Sequence, residues 1–174
     1  QYDVDAVQNG VIVQSYTGLV DQQTITLPSN GVYQVRVHPT GSNPFNKIEF
    51  ANSGDKLKLI SIDNWGDIVW STFILAFRGC SNMVGNTTDI PNLSNSYIGD
   101  WNISNATNIT ALFRFALLFN SDLSKWDTSN VTSMTGVFNG ATSFKQDISS
   151  WNIENVISMN NMFINIDMNI AGTT

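Results

Sequence analysis

Residues 126–151 read WDTSNVTSMTGVFNGATSFKQDISSW, and residues 151–163, WNIENVISMNNMF, say nearly the same thing again. Trp101, Trp126 and Trp151 stand 25 residues apart, and each is followed twelve positions later by a phenylalanine: Phe113, Phe138 and Phe163. The same offset joins Trp65 to Phe77, which makes a fourth, divergent copy 36 residues upstream of Trp101. Self-similarity at a fixed period is the signature of a repeat architecture. These eight aromatic residues are the expected structural core.

The flanks carry a second period. Met134, Val137, Phe138 and Ala141 fall at i, i+3, i+4 and i+7, the stripe of a short amphipathic helix. Ile109, Leu112, Phe113 and Ala116 match it, as do Met159, Met162, Phe163 and Ile166, and Phe73, Ala76, Phe77 and Cys80. Cys80 thus replaces a core alanine and is expected as a small buried thiol. Between stripes, SDLSKW and KQDISSW predict a short extended segment with Leu123 and Ile148 pointing inward. Each copy then reads as strand, tight turn and short helix. Such a unit cannot bury its apolar face alone, but stacked copies can. Trp126→Ala is expected to unfold the array, since a buried aromatic removes about 150–250 Å² from water.

The first 56 residues differ. NGVIVQSY, QTITLPSNGVYQVRVH and NKIEFANSGDKLKLISI alternate apolar and polar residues between Gly, Asn and Pro. TITLPSNGVYQVRV predicts a hairpin turning at PSNG. The expected organisation is a β-rich N-terminal capping region, 1–56, covering the first repeat of an array of about four copies, 57–174.

Composition narrows the function. Charged residues make up 13% of the 174 positions and the net charge is −6, so the chain lacks the basic cluster that phosphate-backbone binding needs. One cysteine allows neither an internal disulfide framework nor a cysteine metal cluster. The longest apolar run, TFILAF at 72–77, is too short to span a bilayer. Scarce charge with abundant Ser, Thr and Asn suits an extracellular surface, and Gln1 is read as a processed start.

Asn105, Asn130 and Asn155 share one repeat column, and Asn102, Asp127 and Asn152 another. Their expected role is to cap the following helix or to bond backbone in the turn, forming a ladder. The competing reading is glycosylation, because Asn86, Asn92, Asn102, Asn105, Asn108 and Asn130 all open N-x-S/T sequons. Asp122 and Asp147 also share a column, but no converging set of six to eight oxygens is apparent for calcium. Neither a metal nor a cofactor is expected. His38 is the only histidine, and no nucleophile elbow, phosphate loop or zinc-protease motif accompanies it. Catalysis is therefore not expected. Tyr16, Tyr33, Trp70 and Tyr97 lie off the stripe and are candidates for stacking on a ligand or for ordinary packing.

The stretch LSKWDTSNVTSMTGVFNGATSFKQDISSWNIENVISMNNMF resembles the 25-residue repeat of the BspA-like surface proteins. The resemblance is strong over roughly residues 97–166 and weaker upstream. It implies an α+β fold, a short leucine-rich-repeat-like (LRR-like) solenoid, on a secreted or cell-surface protein with a non-catalytic adhesion or recognition role. The implied partner is a protein or glycan at a cell surface. An alternative is a structural subunit of a surface filament, outer-membrane assembly or phage tail, with another subunit covering the C-terminal end. Departures from the pattern include Arg114 and Phe115, where the repeat has a small polar pair.

Overall fold

The computed structural model describes residues 2–20, 26–29, 31–40, 48–62, 70, 72–84, 98 and 101–166. The chain divides into two compact units, residues 1–45 and 46–174.

The first unit is an open antiparallel sheet of β1 (Tyr2–Gln8), β2 (Val11–Leu19) and β3 (Gln34–Pro39), in the order β2-β1-β3. β1 and β2 are joined by Asn9 and Gly10, whose φ angles of 52° and 81° give the mirror-image turn that matches strand twist. Central β1 buries Val4, Ala6 and Val7. Its Asp5 accepts from Ser15 Oγ at 2.6 Å on β2 and faces His38 Nε2 at 3.2 Å on β3. β3 pairs with β1 on this side, with Val4 opposite Val37. Of the hairpin expected to turn at PSNG, Thr24, Ile25 and Asn30 lie outside the described residues, and Thr26 and Leu27 hold no strand.

The α+β expectation, an LRR-like solenoid of strand/turn/helix repeats, is overturned. Among the described residues there is no α-helix, and the regular structure is the three-stranded sheet plus one 3-10 turn at Lys56–Lys58. The stripe Met134, Val137, Phe138 and Ala141 is fully buried, but on a run of tight turns. The cause is backbone handedness. Leu75, Ala111, Gly136 and Asn161 have φ between 54° and 62°, and Gly79, Phe115, Gly140 and Asn165, four residues further on, between 60° and 79°. Two left-handed residues in each copy are incompatible with a right-handed helix.

What each copy forms instead is a tier of overlapping turns. In one tier the N–H groups of Leu112, Arg114 and Ala116 reach back to the carbonyls of Ile109, Ala111 and Phe113 at 3.0–3.3 Å. The alternate residues Ile109, Ala111, Phe113 and Phe115 donate to Ser133, Thr135, Val137 and Asn139 of the next tier at 2.8–3.1 Å. The same four bonds recur upstream, from Phe73, Leu75, Phe77 and Gly79, and downstream, from Met134, Gly136, Phe138 and Gly140. Isolated parallel bridges link Asn108 to Ser133 and Ser133 to Ser158.

The alternation satisfies backbone donors along the run and brings like side chains together. Trp101, Trp126 and Trp151 stack at 6.1 and 5.9 Å. Phe77, Phe113, Phe138 and Phe163 follow at 6.0, 6.0 and 6.1 Å. Within a tier, Phe119 lies 3.8 Å from Phe113, and Phe144 3.9 Å from Phe138. The indole N–H of Trp126 donates to Ile98 O and that of Trp151 to Leu123 O, each in the tier before, so the rings are buried with their polar edge bonded. Trp65 lies outside the described residues.

Candidate functional site

The polar columns are part of the tier-to-tier bonding. Asn130 Nδ2 donates to Ser104 O and Asn155 Nδ2 to Ser129 O, both at 2.7 Å. Asn105 heads this column and is exposed. With no α-helix among the described residues these side chains have none to cap, and Asn130 and Asn155 tie their turn to the tier before. The neighbouring column closes the turn locally: Asn102, Asp127 and Asn152 each accept the N–H two residues on, at 2.9–3.1 Å. Asp122 and Asp147 do the same with Ser124 and Ser149. Bonds from the hydroxyl and backbone N–H of Ser129 hold the Asp127 carboxyl below the usual range, and those from the backbone N–H and hydroxyl of Ser124 and Ser149 do the same for Asp122 and Asp147.

Among the sequons, Asn130 has its Nδ2 committed, whereas Asn102 and Asn108 use only Oδ1, toward Ser104 and Thr110. Asn86 and Asn92 lie outside the described residues. A hydroxyl ladder runs beside them, with Thr110 Oγ1 2.8 Å from Ser133 Oγ and Thr135 Oγ1 2.7 Å from Ser158 Oγ.

The off-stripe aromatics are placed variously. Trp70 is buried and stacks on Phe73 at 5.4 Å. The Tyr16 hydroxyl donates to Thr26 O, and the Tyr33 hydroxyl lies 2.8 Å from Ser29 Oγ. Tyr97 falls outside the described residues. Cys80 is fully buried, and burial pushes its thiol up to about 12 against a smaller lowering by Lys56. No helix among the described residues is long and apolar enough to cross a membrane.

Two surfaces break the regular pattern. One is the last described tier, where Ile157 is 88% and Phe163 37% exposed and Met159 and Ile164 are also open to solvent. Its Met159, Asn161, Phe163 and Asn165 occupy the positions whose N–H groups donate forward in the three tiers that begin at Phe73, Ile109 and Met134.

The other surface was not recognised from sequence. Arg78 and Arg114 follow the stacked Phe77 and Phe113, and Gly79 N bonds Arg114 O at 2.7 Å, so the two occupy one column on adjacent tiers. The Nε of each is buried without a hydrogen-bond partner. An unmet buried donor of this kind costs about 1–3 kcal/mol. The Arg114 guanidinium carbon sits 4.8 Å from the centroid of the Phe115 ring, and that ring covers Gly140, where an added Cβ would meet it at 2.6 Å. Beyond it Leu117 and Leu118 are exposed, where the next tier carries Thr142 and Ser143. The available signal was the 36-residue offset, which relates Arg78 to Arg114 as it relates Trp65 to Trp101.

A stack of turn-built tiers with a constant interior and a variable outer surface defines a class of repeat protein. The chain belongs to the family described as "Mycoplasma protein of unknown function, DUF285", which matches residues 78–170, just over half its length. No curated protein and no solved structure matches the chain.

Proposed function

We propose that the chain is a non-catalytic recognition or adhesion protein, secreted or held at a cell surface, that binds a protein or glycan. The observation that carries this reading is the contrast between inside and outside. Core columns are kept from tier to tier, whereas Arg114, Phe115, Leu117 and Leu118 on one tier face Asn139, Gly140, Thr142 and Ser143 on the next. In a repeat stack, recognition resides in such variable outward positions. Membership of the DUF285 family and the resemblance of residues 97–166 to BspA-like surface repeats support the surface role.

The test is protease treatment of intact cells that make the protein, together with binding of chain-coated beads to target cells. Cleavage on intact cells and bead binding blocked by excess soluble chain are expected. Protection until lysis would overturn the surface assignment.

A second reading, a structural subunit of a surface filament, outer-membrane assembly or phage tail, is favoured by the last tier with its exposed Met159, Phe163 and Ile164. Sedimentation across a concentration series separates the two. Growth of the particle with concentration supports assembly, and a constant monomer supports the recognition module.

A further inference from the structure

We propose that Arg78 and Arg114 form a two-tier clamp for a carboxylate on a polypeptide partner, with Leu117 and Leu118 gripping an adjacent apolar side chain. The inference rests on the recognition reading and names its site and ligand chemistry.

Three observations converge. Each guanidinium keeps a buried Nε–H without a bond, on tiers whose alternate backbone N–H groups bond to the next tier. Second, like charges stand on neighbouring tiers of an acidic chain, and neither arginine has a carboxylate partner among the described residues. Lys56 adds a third positive charge one tier further up, since Asn52 N bonds Arg78 O at 2.9 Å and Lys56 Nζ is held by Asn52 Oδ1 at 2.7 Å. Third, Phe115 lies against the Arg114 guanidinium and braces its plane. A planar fork fixed in this way suits bidentate capture of an oxyanion. The exposed leucines beside it favour a peptide over a sugar, because they offer apolar area and not hydrogen bonds.

The probe is acetyl-Leu-Glu-Leu-Glu-Leu-amide, titrated into the ¹⁵N-labelled chain while the arginine Nε–H resonances are followed. Both the Arg78 and Arg114 signals are expected to move with one saturable curve, and the Leu-Gln peptide is expected to leave them in place. Arg78→Gln and Arg114→Gln should each weaken peptide binding about tenfold or more, and Arg114→Lys should restore only part of it, because a point charge lacks the fork. Where a Gln variant fails to fold, the resonance titration on the unaltered chain still decides. Unmoved Nε–H signals overturn the proposal, and so does equal binding by Arg114→Gln. A response to a sulfated disaccharide without one to the peptide overturns the polypeptide assignment. Bead binding to cells that survives both Gln changes removes this site while leaving the recognition reading intact. Saturable peptide capture by a chain that binds no cell does the reverse.

Discussion

Residues 126–150 and residues 151–166 repeat one phrase, yet one copy is interior and the other is surface. Met134, Val137 and Phe138 are fully buried, whereas their counterparts Met159 and Phe163 are exposed and only Met162 stays covered. The residue types barely differ, so burial here belongs to position in the stack. A tier flanked on both sides has each ring between two others: Phe138 lies 6.0 Å from Phe113 and 6.1 Å from Phe163. Among the described residues, the tier of residues 151–166 has the first neighbour without the second. Stability in such an array is roughly a sum over nearest-neighbour interfaces, so a repeated residue should contribute according to how many interfaces it joins.

The largest effect should come from breaking this contrast directly. Phe138→Ala leaves a cavity between two tiers and should cost about 3–5 kcal/mol, whereas Phe163→Ala, half-open to water, should cost about 1 kcal/mol or less. Denaturant unfolding of the two variants gives the comparison. Equal losses would mean that Phe163 is covered in solution, which would favour the assembly reading.

A smaller pair of changes tests the backbone side of the same tiers. Gly136 and Gly140 share one turn run with φ of 62° and 74°. An added Cβ at Gly136 meets nothing nearer than Asn139 Cβ at 3.9 Å, so Gly136→Ala should cost about 1–2 kcal/mol for left-handedness alone. At Gly140 the Phe115 ring stands 2.6 Å away, and overpacking should add about 1–3 kcal/mol. Comparable losses from the two changes would show that Phe115 swings aside freely and does not brace Arg114.

These glycines also explain how the sequence misleads. The stripe at Met134, Val137, Phe138 and Ala141 does mark the buried face, because residues three and four apart in the turn run point inward, which is also the helical spacing. Spacing alone cannot separate the two backbones. GVFNG, with glycines four apart, carried the warning, but Leu75, Ala111 and Phe115 occupy the same left-handed positions in other copies and hide it. In the first unit, the Asn9-Gly10 pair between alternating runs was the stronger hairpin signal than PSNG, since Asn-Gly accepts positive φ at both turn positions. Ring columns could be read because aromatic spacing survives any choice of backbone. The arginine column was legible only as the 36-residue offset between Arg78 and Arg114; that each Nε–H is unmet is a fact of geometry with no trace in residue type.

The smallest effect concerns acid, and it again sets one tier against its copy. Asp127 and Asn152 hold equivalent places, and their Oδ1 atoms accept the N–H two residues on at 3.0 and 2.9 Å. Only the aspartate titrates. Bonds from Ser129, Ser124 and Ser149 lower the carboxyls of Asp127, Asp122 and Asp147 in the folded chain relative to an unfolded value of about 3.9. A depressed folded value means the unfolded state binds protons first as pH falls. The contribution is therefore complete above about pH 4 to 5 and is lost as pH falls through the folded values. All three groups are solvent-exposed, so the shift in melting temperature should be small. Replacing all three by Asn keeps the turn bond, as Asn152 demonstrates, and removes the titration. The triple variant should melt like the parent at neutral pH and lose less stability than the parent between pH 5 and 3. An unchanged acid limb would mean that the carboxylates do not stabilise the turns through their charge, leaving the amide-like hydrogen bond as their whole contribution.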